Sequence, residues 1–361
     1  MTADQSSEHE GSVRRRIESQ QESTLSQHAR KPSETEGRIE EESADTLRTC
    51  YQLDRDRILH SRPFRRLKFK TQVFIEPVND DTRTRLTHTL EVMQIARSAA
   101  RALSLNEDLT EAIALGHDIG HTPFAHTGET MLDEIASEGF HHSNQSLRVV
   151  DRLARQGKRL NLTREVRDGI VKHSKSKKSM FESQTGTSPM TLEGKLVRIC
   201  DSVAYVNHDI DDAIQADVLQ PDDLPQQPVE ILGEHGGDRI DRTVRDMVET
   251  SGDGEVRLSE TVRDANDQLR TYMFEEVYRD LSQQPIYREA RRVIRELYAY
   301  LSKNPEVMYD TSPFLEGISS SDPVIDFFSL QSDLSTIQLY RTHIADELEY
   351  LPDYSTQSDP S

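Results

Sequence analysis

Between residues 191 and 214, Leu192, Leu196, Ile199, Val203, Val206 and Ile210 recur at alternating four- and three-residue steps. Only an α-helix gathers such positions on one side, so this stretch predicts a long helix buried along a single stripe. The same stepping recurs over 83–103, where Leu86, Leu90, Met93, Ala96, Ala100 and Leu103 line up, and over 107–116, where Leu109, Ala112, Ile113 and Leu115 face inward behind Asn106 as N-cap. No stretch alternates apolar and polar residues as a strand would, and no internal repeat is visible. The chain reads as all-α.

The 191–214 helix also has an unusual back. At about 100° per residue, Asp201 points away from the apolar stripe and shares its face with Tyr205, His208 and Asp212, with Asp209 to one side. On an ordinary surface helix this would be a solvated polar face. Its weight grows beside residues 114–129, which read A-L-G-H-D-I-G-H-T-P-F-A-H-T-G-E. His117, Asp118, His121, His126 and Glu129 fall there within sixteen positions. Imidazole and carboxylate at this density can hold a divalent cation and move protons near neutral pH. Adjacent His117 and Asp118 cannot share one helical face, so joint ligation calls for a helix that ends there, and Gly116, Gly120 and Thr122-Pro123 provide the break. A third helix is expected from about 127 to 136, with His126 just before its first turn and Glu129 within it.

Composition narrows the function. Acidic residues outnumber basic ones, 64 to 44, for a formal charge of −20. That disfavours extended nucleic-acid binding, which needs a net basic face, but leaves room for an anionic substrate met by local positive charge or a metal. No apolar run approaches the roughly 18 residues of a membrane span, and Met1 leads into no signal-like segment. The two cysteines, Cys50 and Cys200, form no C-x-x-C pair, so a reducing cytoplasm is expected.

The chain is expected to divide into a polar, disordered tail over 1–48, a core over 49–215, a helical region over 216–345 packed on that core, and a second polar tail over 346–361. Residues 50–75 concentrate seven basic side chains (Arg55, Arg57, Arg62, Arg65, Arg66, Lys68 and Lys70) on an otherwise acidic protein. This is either a solvated amphipathic face or a phosphate-binding or inter-subunit surface. The K-H-S-K-S-K-K patch at 172–178 is either an exposed loop or a phosphate contact through Lys172 or His173. Pro, Gly and Asp over 220–241 predict an irregular connection. Helices are expected over 262–278, 286–301 and, as a short closing element, 324–340.

Four residues from separate helices or helix ends, His88, His117, Asp118 and Asp201, form a mixed nitrogen–oxygen set suited to Mn²⁺, Mg²⁺, Fe²⁺, Co²⁺ or Ni²⁺. Their order resembles the HD-domain metal-dependent phosphohydrolases. F-R-R-L-K-F-K-T-Q-V-F, R-T-R-L-T-H-T-L-E-V, A-I-A-L-G-H-D-I-G-H-T-P-F-A-H-T-G-E, S-L-R-V-V and C-D-S-V-A-Y-V-N-H-D-I-D-D together resemble the deoxyguanosine triphosphate triphosphohydrolase-like family, from about residue 53 to 213. The resemblance implies an HD-domain helical bundle with additional C-terminal helices. It also implies metal-dependent hydrolysis of a deoxynucleoside triphosphate, dGTP or several dNTPs, to deoxynucleoside and inorganic triphosphate. His88, His117, Asp118 and Asp201 match the metal ligands, and His126 with Glu129 match the catalytic pair. Arg85 matches an α-phosphate contact and His121 a second phosphate contact. Tyr205 and Asp209 match residues at the sugar, Asp209 at its 3′-hydroxyl, and Gln72 matches one near the sugar and base. A homo-oligomer is expected, with a regulatory nucleotide bound between subunits near Arg66 and Lys68.

The sequence departs from the family at F-H-H-S-N-Q-S-L, 140–147, where F-E-H-N-E-Q-S-L is usual. His142 and Gln145 remain, while Ser143 and Asn144 replace an amide and an acid. Two other functions use similar residues: a different HD-type phosphohydrolase, such as a 5′-nucleotidase or phosphodiesterase, and a nucleotide sensor without turnover.

Overall fold

The computed structural model describes residues 12–75, 81–174, 188–345 and 347–352. Among these, secondary structure is helical with three isolated β-bridges and no sheet. No described helix is long and apolar enough to cross a membrane.

The helices that matter here are α1 (Val13–Thr24), α2 (Cys50–Leu59), α3 (Arg85–Ala102), α4 (Glu107–Gly116), α5 (Ala125–Ile135), α6 (His142–Arg148) and α7 (Arg164–Lys172). They are followed by α8 (Leu192–Gln215), α9 (Gln226–Leu232), α10 (Gly236–Thr250), α11 (Glu260–Tyr272), α12 (Pro285–Lys303), α13 (Pro323–Ser329) and α14 (Asp333–His343). The expected Asn106 cap forms, and the structure adds one at Thr191. Asn106 accepts a hydrogen bond from the Leu109 amide at the start of α4, and Thr191 accepts one from Gly194 at the start of α8. Each such cap stabilises its helix by about 1 kcal/mol.

Helix α8 is the centre of the molecule and packs against α3, α4, α7 and α10. Its polar back is not a solvated face. His208, Asp209 and Asp212 are all buried, covered by Arg83 before α3 and by Tyr278 beyond α11. Apolar periodicity marks only one side of a helix; this one is buried on both sides because its polar groups find partners.

Four regions differ from the sequence expectation. Residues 12–48 are not a disordered tail: Val13–Thr24 is helical, Ala29 is buried, and the segment docks through carboxylates of the core. Glu165 accepts from Thr35 and the Glu36 amide, Glu193 accepts from the Arg30 amide, and Arg38 pairs with buried Asp54. Anchoring by side-chain–backbone hydrogen bonds leaves no apolar period to detect. Residues 347–352 are likewise pinned, because Glu289 accepts from the amides of Glu349, Tyr350 and Leu351. The 220–241 stretch carries two helices, α9 and the start of α10, hinged at Gly233 with φ +120°. The closing helix is two, α13 and α14.

The C-terminal helices matter to the site because they fasten the loop between α4 and α5. Phe124 and Ala125, which begin α5, are both left-handed at φ 60° and 53°, a conformation disfavoured for residues with a Cβ. Asp333 at the head of α14 holds this turn. Its Oδ1 accepts from the Phe124 amide at 3.0 Å, and its Oδ2 accepts from the Thr71 amide and hydroxyl. Beside it, fully buried Lys70 donates to the carbonyls of His121 and Ser329; burial and then Arg66 push its pKa down to about 7. Asp333→Ala would leave the Thr71 and Phe124 amides without an acceptor, at a cost on the order of 3 kcal/mol. Urea denaturation should show a lower midpoint with an unchanged slope.

Candidate metal centre

His117 follows the last turn of α4 and Asp118 begins the turn beyond it. The turn stays tight because α6 presses on it: a Cβ on Gly120 would lie 2.2 Å from the Ser146 amide nitrogen. Ser146 fixes the contact by donating to the His117 carbonyl at 2.7 Å and accepting from the Gly120 amide. His88 arrives from the first turn of α3 and Asp201 from the middle of α8.

These four residues meet. Asp201 Oδ1 lies 3.2 Å from His88 Nε2 and 3.5 Å from His117 Nε2, and Asp118 Oδ1 lies 3.6 Å from His117 Nε2. Ligand atoms of His88, His117 and Asp118 fall within 4.8 Å of one another. Separations of this size suit donors grouped around one cation at about 2 Å each. The imidazole of His117 is oriented for ligation, since its Nδ1 donates to the Ala114 carbonyl at 2.6 Å and so leaves Nε2 as the atom that faces the donor set. Its Nε2 is buried with no hydrogen-bond partner. Behind His88, His208 Nδ1 lies 3.2 Å from His88 Nδ1, the kind of outer contact that orients a ligand. The donor set fits a divalent metal.

The electrostatics are those of charges gathered out of water. Burial alone would raise the pKa of Asp118, but His117, His121 and Arg85 hold it well below the carboxylate range. Asp201 is likewise held low, by His117 and His88 against its burial. Burial depresses His117, yet the carboxylates of Asp118 and Asp201 outweigh it and push it up to about 9.

Around this group lie the other residues singled out in the sequence. Arg85 donates to Asp118 Oδ2 at 2.5 Å, and its Nε and one terminal nitrogen are buried without acceptors. A buried guanidinium with donors to spare beside a cation site has the chemistry to receive an anion. His121 stacks on His142 with centroids 4.1 Å apart. Gln72 and Asp209 are buried, each with an unpaired side-chain oxygen. Asp209 also accepts from the Tyr278 hydroxyl, and burial pushes its pKa up to about 8. Tyr205 is one turn beyond Asp201 and half-buried, and this burial raises its pKa.

His126 differs from the expectation in position. It is the second residue of α5, with Glu129 one turn on. Its side chain is 63% exposed, and its Nδ1 lies 3.3 Å from Glu129 Oε2. Glu129 is shared, since its Oε1 accepts from the His142 amide at 2.9 Å and lies 2.7 Å from His142 Nδ1. Thus His142, assigned no role on sequence grounds, stands in the site. His173 also does: its Nε2 is 3.8 Å from Asp118 Oδ1 and its ring stacks edge-on against His117. Lys172 turns outward to pair with Asp168 at 2.6 Å. Lys175, Lys177 and Lys178 fall outside the described residues.

Comparison with known proteins gives the family. Residues 85–206 match the HD domain and 256–342 the phosphohydrolase-associated domain. A deoxyguanosinetriphosphate triphosphohydrolase-like protein of Caldanaerobacter subterraneus is 53% identical over 79% of this chain and 81% of its own length. One from Desulfatibacillum aliphaticivorans is 47% identical over 81% and 84%, and one from Clostridium tetani 43% identical over 89% and 93%. The metal-ready cluster spans the first matched domain, and the helices that brace its loop belong to the second. The chain is an HD-domain phosphohydrolase and belongs to the deoxyguanosinetriphosphate triphosphohydrolase-like family.

Proposed function

We propose that the protein hydrolyses a deoxynucleoside triphosphate to the deoxynucleoside and inorganic triphosphate, with His88, His117, Asp118 and Asp201 holding a divalent metal. The observation that carries this reading is Arg85, a buried guanidinium with unused donors on the rim of the donor set. A site for a phosphate ester needs fixed positive charge where the non-bridging oxygens sit.

A divalent cation held by that set would supply positive charge for the phosphate oxygens and would make water a better nucleophile at neutral pH. The rest is done by side chains. Arg85 and His121 grip the phosphate. Asp209, Tyr205 and Gln72 hold the sugar and the edge of the base, which fixes the α-phosphorus against the attacking water. As the water oxygen bonds to the α-phosphorus, the bond to the 5′-oxygen breaks, water gives up a proton and the departing oxygen takes one. His126 moves that proton, steadied by Glu129. Arg66 and Lys68 form a further site for a regulatory nucleotide between subunits of a homo-oligomer; Phe69 beside them is half exposed, with the Lys68 ammonium 5.0 Å from its ring centre.

Incubation with each of the four dNTPs and with Mn²⁺, Mg²⁺ or Co²⁺ in turn, followed by anion-exchange separation, tests this. Triphosphate and deoxynucleoside should appear in equal amounts. Orthophosphate, or a nucleoside monophosphate consumed as substrate, would instead favour another phosphohydrolase, and nucleotide bound without turnover a sensor.

A further inference from the structure

Helices α3 and α8 pack together where His88 meets Asp201, and each adds one more polar residue to the contact. Glu91 follows His88 by three positions and His208 follows Asp201 by seven, spacings that keep each pair on one face of its helix. His208 Nδ1 lies 3.2 Å from His88 Nδ1, and on its other side His208 Nε2 lies 3.5 Å from Glu91 Oε2. The two imidazoles meet edge-on, at 86° with centroids 5.4 Å apart, so nitrogen faces nitrogen and the rings do not stack. Glu91 is itself held: Arg83 Nε donates to its Oε2 at 3.0 Å, and another Arg83 nitrogen donates to Asp212 at 2.7 Å. The first set of donors, His88, His117, Asp118 and Asp201, is therefore backed by a row, Glu91 and then His208, that reaches it through His88.

The positions of the ring protons follow from ligation. His88 Nε2 is the nitrogen that faces Asp201, so His88 can bind a cation only through Nε2, with its ring proton on Nδ1. That proton points at His208 Nδ1, which has to accept it. A neutral imidazole that accepts at Nδ1 is protonated at Nε2, and His208 Nε2 is the atom turned towards the Glu91 carboxylate. The reverse arrangement, with His208 donating to His88 Nδ1, would put the His88 proton on Nε2 and close that atom to a cation. The other histidine of the set is held differently, by the backbone carbonyl of Ala114. An imidazole nitrogen is a stronger base than a peptide carbonyl, so a side chain sets both the orientation and the donor strength of His88.

We propose that His208 is a positioning residue of the metal centre: by accepting from His88 Nδ1 and donating to Glu91, it holds His88 in the tautomer that offers Nε2 to the cation. It acts through His88 and makes no bond to the cation. A histidine that only fills space could be replaced by any ring of its shape, whereas a positioning one needs an acceptor where its Nδ1 stands. The inference rests on the reading of His88 as a ligand and not on which nucleotide is hydrolysed.

Full-length protein, stripped of metal and titrated with Zn²⁺ without nucleotide, tests it, with Asp201→Ala identifying the ion that belongs to the first set. His208→Phe keeps a ring and removes the acceptor, and chelator competition should show that ion bound about 10–100-fold more weakly. His208→Asn puts an amide oxygen where Nδ1 stood and should keep affinity close to wild type. Glu91→Ala should weaken binding by a smaller factor than His208→Phe. Proton–nitrogen NMR spectra of histidine-labelled, Zn²⁺-loaded wild-type protein should show His88 protonated at Nδ1 and bound through Nε2, and His208 protonated at Nε2. Wild-type affinity in His208→Phe overturns the proposal, as do equal losses in His208→Phe and His208→Asn, or a His88 bound through Nδ1. If a variant does not fold, the wild-type spectra still decide. Absence of any ion that Asp201→Ala removes would sink the metal centre itself; that ion present and indifferent to His208 removes only this role and leaves the proposed function standing.

Discussion

Asp201→Ala is expected to lower the metal content by one ion per chain and to bring triphosphate release down to background. Asp201 Oδ1 is the atom shared by the two imidazoles of the first set, 3.2 Å from His88 and 3.5 Å from His117. Without it, that set keeps two neutral donors and the one carboxylate of Asp118. The substitution sits in the middle of a 24-residue helix, where alanine is the best helix former, so the fold should survive and circular dichroism should not change. A pH dependence accompanies this. Without metal, His117 stands near 9, and an imidazole must lose its Nε2 proton before it can bind a metal. Affinity in the wild-type protein should therefore rise from pH 6 to pH 9, with a proton released on binding. Calorimetry in buffers of different ionisation enthalpy reads that proton. A variant that keeps the wild-type metal count would show that Asp201 is no ligand.

What is legible in the sequence and what is hidden follow from the same physics. Periodicity finds elements that bury one apolar stripe, so α3, α4 and α8 are evident, and Asn106 marks the start of α4 through cap chemistry. The His117-Asp118 pair stands out because few structural roles need both side chains at a helix end. His142 and His173 stand out less: in the sequence His142 is only a retained member of the 140–147 motif and His173 only part of a basic patch, and only the fold brings their Nε2 atoms within 3.1 Å.

The bracing of the site is hidden for a related reason. Asp333, Lys70 and Phe124 are far apart in the chain, and their bonds run from side chain to backbone, which leaves no mark on composition. The N-terminal segment shows the same effect. Its order comes from Glu165, Glu193 and Asp54, buried acceptors that belong to other elements. The two left-handed residues at the start of α5 have no glycine to announce them, so sequence signals begin the helix two residues late and leave His126 ahead of its first turn.

His126→Ala separates chemistry from assembly most cleanly. His126 is the most exposed of the pocket histidines and touches Glu129 but none of the four residues of the first metal set. Truncation removes no ligand, leaves Glu129 bound to His142, and places alanine in the first turn of α5. Metal content, nucleotide affinity and melting temperature should stay at wild-type values, while kcat falls by about 10²–10⁴, the usual contribution of a positioned proton-transfer group. Glu129→Gln offers the contrast. It weakens the orientation of His126 and of His142 together, because Glu129 also accepts from the His142 ring and amide, so kcat should fall while the metal content of the first set holds. If His126→Ala instead raises KM with kcat unchanged, His126 binds the nucleotide without moving a proton, and the proton must come from solvent or from His121 deeper in the pocket.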